Sequence, residues 1–149
     1  MPLNLQRNEY KLGIIGLWHL GCVLCAAWSK KNYLVKGFDH EETRVKNLMK
    51  GLLPIFEPGL EDSINQSVAN NFLSFYDNIE SLSDADFIFL SYDTPVLEND
   101  VSDISILVKS VEEAAKIMKD NSILIICSQT PVGLCSELRE IIKKININL

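Results

Sequence analysis

Short apolar runs alternate with stretches in which apolar side chains recur every three or four positions. Residues 11–16 (KLGIIG) are a run closed by a glycine and predict a first strand. Residues 20–31 follow with Val23, Leu24, Ala27 and Trp28 at helical spacing. Residues 34–38 predict a second strand that ends at Asp39, and residues 41–50 a helix stopped by Gly51. Residues 54–59, with Pro54, Pro58 and Gly59, predict a rigid loop before a helix over residues 60–69. Residues 72–76 and 86–91 (DFIFLS) predict a third and a fourth strand, and residues 94–100 a polar surface loop. Ser102 or Asp103 is placed to cap the next helix, where Ile104, Leu107, Val111, Ala114, Ala115 and Met118 make one apolar stripe. Residues 122–127 (SILIIC) are almost continuously apolar, which predicts a fifth strand buried on both faces. Leu134, Leu138, Ile141 and Ile142 mark a last helix.

Strands that alternate with helices at this spacing need crossover connections, and those connections are right-handed. The expected fold is therefore α/β: a Rossmann-type doubly wound, mainly parallel sheet with helices on both faces. The 149 residues suit one domain, and 47% hydrophobic against 23% charged residues is ordinary for a globular chain. A formal charge of −6 without a basic block argues against a nucleic-acid surface. No apolar run is long enough to span a bilayer, and residues 1–9 lack the apolar centre of a secretory signal. A cytoplasmic protein that uses neither membrane nor metal is the expectation. Cys22 and Cys25 have the spacing of a redox or zinc pair, but no second pair accompanies them. Their apolar helical surroundings favour a packing role.

Candidate chemistry sits where the first strand meets its helix. Gly16-Leu17-Trp18-His19-Leu20-Gly21 keeps two glycines of the G-x-G-x-x-G dinucleotide fingerprint and has Trp18 in place of the middle one. Gly16 permits a tight turn, Gly21 lets the helix approach the sheet, and the helix N-terminus offers free N–H groups to a pyrophosphate. Asp39, at the end of the second strand, is placed to accept from both hydroxyls of an adenosine ribose. Its charge would repel the extra phosphate of NADP, so NAD is the expected cofactor. A strand–turn–helix with a merely capping aspartate would present the same residues. His19 is read either as lining the site or as a packed or solvated surface residue. Trp18 stands where backbone should approach the pyrophosphate, and crowding of that groove is expected.

Longer segments carry a more specific likeness. KLGIIGLWHLG, GFDHEETRVKNLMKG, PIFEPGL, DADFIFLSYDTPV and SQTPVG run in register with KIGVIGLGYVG, VDIDEEKVEALNKG, PIYEPGL, DADVIFIAVGTPV and STVPVG. In these segments, over nearly its whole length, the chain resembles the NAD-binding domain of the UDP-glucose/GDP-mannose dehydrogenase family. The residue 54–60 segment is the most discriminating, because generic Rossmann proteins lack it. A related dehydrogenase or a methyltransferase with the same first turn would not account for it.

The resemblance implies a pyrophosphate turn formed by Gly16, Leu17 and Gly21, with Trp18, His19 and Leu20 between them. It implies that Asp39 and Arg44 reach the adenosine ribose, that Thr94 lines the cofactor groove and that Ser128 flanks the nicotinamide. Glu57 matches a glutamate whose loop shapes the cleft, although Glu57-Pro58-Gly59 could equally set the start of a helix. Gln129 stands where the family has a threonine that assists the chemistry through a water. The family oxidises the primary alcohol of a nucleotide sugar, a UDP-sugar in the closest likeness, to a carboxylate with two NAD. The essential cysteine and its helpers lie in a later domain, and none of the four cysteines here matches it. The expectation is a truncated NAD-binding domain, inactive alone, whose nucleotide-sugar partner needs the missing domain and whose full-length form is compatible with a homodimer. The alternative is a noncatalytic nucleotide-binding or interaction module derived from the family.

Overall fold

The computed structural model describes residues 8–94 and 103–146. Most of the 94–100 loop and the Ser102 cap lie outside them, as do residues 1–7. Five parallel strands, β1 (Lys11–Ile15), β2 (Leu34–Phe38), β3 (Leu73–Tyr76), β4 (Phe87–Leu90) and β5 (Ile123–Ile126), line up in the order β3-β2-β1-β4-β5. The winding reverses between β1 and β4, so the crevice of a doubly wound sheet opens beside the end of β1. Five helices connect the strands: α1 (His19–Ser29), α2 (Glu42–Met49), α3 (Leu60–Ala69), α4 (Ser105–Ile117) and α5 (Leu134–Ile145). A 3-10 turn at Ile79–Leu82, absent from the sequence reading, links β3 to β4.

Alternation along the strands divides the core in two. Leu12, Ile14, Val35, Leu73, Phe75 and Phe89 face one layer with residues of α1, α2 and α3. Ile15, Phe38, Ile88 and Leu90 face the other, against α4, α5 and the 3-10 turn. The stripe on α4 behaves as its periodicity predicts: Leu107, Val111, Ala114 and Ala115 are fully buried. Asp103 accepts from the Ser105 N–H at 2.9 Å and satisfies one donor of the first turn. Cys22 and Cys25 lie in the first core layer, and burial pushes the Cys22 thiol up to about 12 and the Cys25 thiol well above its usual value. Neither is a reactive thiolate.

One expectation fails. β5 is not buried on both faces; it is the edge of this sheet, Ile123 is 51% exposed, and Leu124, Ile125 and Ile126 are half-buried. A continuous apolar run shows that a strand has two apolar faces, but not that both are covered.

The amino ends of the central strands carry a charge cluster away from the crevice. Asp84 joins Lys36 at 2.7 Å and Lys11 at 2.9 Å, while Asp86 accepts from the Lys11 N–H at 2.7 Å and pairs with Lys119 at 2.6 Å. Both aspartates of DADFIF therefore hold strands together rather than serve the site.

Candidate cofactor site

The turn from β1 into α1 is built around close backbone approach. Gly16 has φ +92°, a region that side chains avoid, and a Cβ there would lie 3.1 Å from the Tyr92 backbone nitrogen. At Gly21 a Cβ would fall 1.8 Å from the Gly16 carbonyl oxygen, so only glycine lets α1 pass so close to the turn. The first intrahelical bond of α1 runs from the Cys22 N–H to the Trp18 carbonyl at 3.0 Å. The N–H groups of Trp18, His19, Leu20 and Gly21 thus precede the helical ladder and have no carbonyl one turn back. This helix start, with its partial positive charge, fits the pyrophosphate of a dinucleotide.

Asp39 lies at the end of β2, the strand next to β1, and is only 1% exposed. Its Oδ2 accepts from the Leu17 N–H at 2.7 Å and from Arg44 Nη1 at 2.8 Å, and its Oδ1 accepts from the Glu41 N–H at 2.9 Å. A carboxylate offers about four lone-pair positions, and three are filled here. The Leu17 N–H is therefore spent on Asp39 rather than presented to a phosphate. A ribose has room for one hydroxyl at Asp39 unless Arg44 yields its place. Arg44 also pairs with Glu41 at 2.5 Å. Burial works against its charge, but Asp39 and Glu41 hold the guanidinium above its ordinary pKa.

The Trp18 ring lies beside Arg44, the residue expected to reach the ribose. Its indole is 41% exposed and lies 5.3 Å from the Arg44 guanidinium in a cation–π contact, in a cleft with Glu41, Asn47, Leu52 and Pro54. At the cap of α1 Trp18 has φ −81° and an extended ψ, a backbone form open to any residue.

His19, the first residue of α1, forms an ion-pair contact with Glu57 of the PIFEPGL segment. Besides this contact, the Glu57 carbonyl accepts from the Leu60 N–H at 3.1 Å where α3 begins. On the far side, the Thr94 hydroxyl donates to the Gln129 carbonyl at 3.0 Å, and the Ser128 hydroxyl lies 3.5 Å from the Leu90 carbonyl. Thr94, Ser128 and Gln129 thus meet at the ends of β4 and β5, apart from the Asp39 group.

Two participants escaped the sequence reading. Buried Ser91 donates toward the Gly16 carbonyl at 2.8 Å and the Ile15 carbonyl at 3.1 Å, stapling the turn to β4. Tyr92 packs its ring over Gly16, and its hydroxyl lies 2.8 Å from His40 Nδ1. Burial pushes the Tyr92 phenol above its usual pKa. The signal was the departure from the family string, since Ser91 and Tyr92 replace a small residue and an aliphatic one in DADVIFIAVGTPV.

The sequence model of the UDP-glucose/GDP-mannose dehydrogenase family's NAD binding domain matches residues 10–148. The chain belongs to this family. UDP-glucose 6-dehydrogenase of Pseudomonas aeruginosa is 29% identical over 134 residues, 89% of this chain and 30% of that protein. The same enzyme of Rhizobium meliloti is 29% identical over 138 residues, 91% of this chain and 32% of that protein. The chain spans 16% to 32% of the length of such curated relatives. Its fold matches the solved GDP-mannose dehydrogenase of Pseudomonas aeruginosa with a TM-score of 0.86 at 23% identity, covering 91% of this chain and 32% of that one. It is thus an NAD-binding domain of the nucleotide-sugar dehydrogenase family. No helix among the described residues is long and apolar enough to cross a membrane.

Proposed function

We propose that this domain holds NAD for the oxidation of a UDP-sugar primary alcohol to a uronic acid, as the cofactor-binding part of a longer dehydrogenase that uses two NAD per sugar. The observation that carries the proposal is the pairing of the Gly16–Gly21 turn with Asp39 at the ends of neighbouring strands, beside the point where the winding reverses. Bound there, NAD would supply the hydride acceptor. The N–H groups of residues 18–21 would hold its pyrophosphate, and Asp39 with Arg44 would take the adenosine ribose. The extra phosphate of NADP would face a buried carboxylate that its own partners hold in place, which favours NAD. Thr94 and Ser128, at the ends of β4 and β5, would line the nicotinamide half.

The 149 residues bind cofactor without turnover in this reading, because neither buried cysteine of α1 is a competent nucleophile and the family's thiol lies in a later domain. Calorimetric titration should show binding of NAD and much weaker binding of NADP, and the chain mixed with UDP-glucose and NAD should form no NADH. Equal affinity for the two cofactors would remove Asp39 from the site. NADH formation that survives replacement of all four cysteines would overturn the division of labour.

A further inference from the structure

The ends of β2 and β4 are joined by a hydrogen-bonded chain that the phosphate turn does not need. His40 follows Asp39 directly, and its two ring nitrogens meet the Tyr92 hydroxyl at 2.8 Å and Glu113 Oε2 of α4 at 2.5 Å. Its ring packs edge-on against Phe38, with centroids 5.0 Å apart. Because β1 lies between β2 and β4, the bridge from His40 to Tyr92 passes over the glycine that ends β1.

A ribose held at Asp39 would carry its base outward, into the gap between the ends of β2 and β4. A flat ring lodged between two walls needs a van der Waals contact of about 3.5–4.0 Å on each side, roughly 7 Å in all. The His40 and Tyr92 rings lie only 5.9 Å apart between centroids, and the hydrogen bond between their polar atoms closes the gap at 2.8 Å. We propose that His40, Tyr92 and Glu113 form a latch across the adenine subsite, so that the base enters only when His40 parts from Tyr92. The latch makes these three side chains determinants of cofactor affinity. The proposal rests on the reading of this crevice as the NAD site. A valine-like residue at position 92, as in the family string, could not form the latch.

Tyr92→Phe keeps the ring over Gly16 and removes the hydroxyl; His40→Ala removes the bar itself. Calorimetric titration of the 149-residue chain with NAD and, separately, with inorganic pyrophosphate reads the two halves of the site. NAD should bind about threefold to tenfold more tightly to either variant, the worth of one released hydrogen bond. Pyrophosphate, which carries no base, should bind all three proteins alike. NAD affinity that is unchanged or weaker in both variants overturns the latch, and a parallel gain for pyrophosphate overturns it by moving the effect to the turn. The Asp39→Ala variant separates the two readings. NAD binding that this variant loses and Tyr92→Phe leaves unchanged overturns the latch alone. No NAD binding by any of the proteins overturns the latch together with the cofactor reading.

Discussion

The two walls of the crevice are built to different standards. On the side of β1 and β2, hydrogen bonds tie the turn to its neighbours: Leu17 to Asp39, Asp39 to Arg44, Ser91 to Gly16. On the side of β5, among the described residues, Ser128 makes one long hydrogen bond and Thr94 reaches a carbonyl. The contrast shows where the fold has already settled its geometry. The turn after β1 is held by its own hydrogen bonds, whereas the ends of β4 and β5, proposed above to line the nicotinamide, carry fewer among the described residues. Glycines on the two sides make the difference measurable.

The largest effect is expected from Gly21→Ala, whose Cβ would meet a backbone oxygen that cannot move without the turn. A loss of about 3 kcal/mol in urea unfolding is expected. A loss under 1 kcal/mol would mean the turn is more compliant than its packing shows. Asp39→Ala comes next. It strands the Leu17 N–H, leaves Arg44 with Glu41 alone and should cost on the order of 2 kcal/mol of stability, besides weakening NAD. Gly133→Ala, in the turn after β5, has nothing within 4 Å of the added Cβ, and only its φ of +94° opposes the change. A cost of about 1 kcal/mol should appear in the same experiment. If Gly133→Ala costs as much as Gly21→Ala, the two walls do not differ in rigidity.

The smallest effect belongs to the charge cluster at the amino ends of the strands, outside both walls. Burial alone would raise the Asp84 pKa, but hydrogen bonds from Lys36 and Lys11 outweigh it and hold the carboxyl below its ordinary 3.8. A depressed folded pKa stabilises above the unfolded value, and that contribution is lost as pH falls through the folded one. Wild-type stability should therefore fall below about pH 4 more steeply than that of Asp84→Asn, and thermal melts across that range test it. Parallel curves would leave Asp84 as a solvated surface charge.

Most of the architecture was legible because each strand and helix has its own hydrophobic period. Leu107, Val111 and Ala114 announce α4 without reference to any other element. β5 misled for the opposite reason: whether Ile123 is covered depends on neighbours outside its own segment. The same distinction runs through the site. Gly16, Gly21 and Asp39 are readable because their duties follow from local backbone form and strand ends. The partners of Asp39, and the meeting of His40 with Tyr92 across 52 positions, are not readable, because they depend on how β2 and β4 flank β1. The place of the Trp18 ring is not readable from its own position either, because it rests on Arg44 of the next helix.

The central place of β1 also sets an order of assembly. Leu12 pairs with Val35 on one side and with Phe87 on the other, closing loops of 23 and 75 residues. The longer closure costs only about 1 kcal/mol more in chain entropy, but that cost falls before any of its contacts form. The β1–α1–β2 crossover can therefore collapse first and join Leu17 to Asp39 while β4 is still searching. A refolding chain would bring Trp28 against Tyr33 early and against Phe89 of β4 late, so protection at the β1–β2 amides should run ahead of protection at the β1–β4 amides.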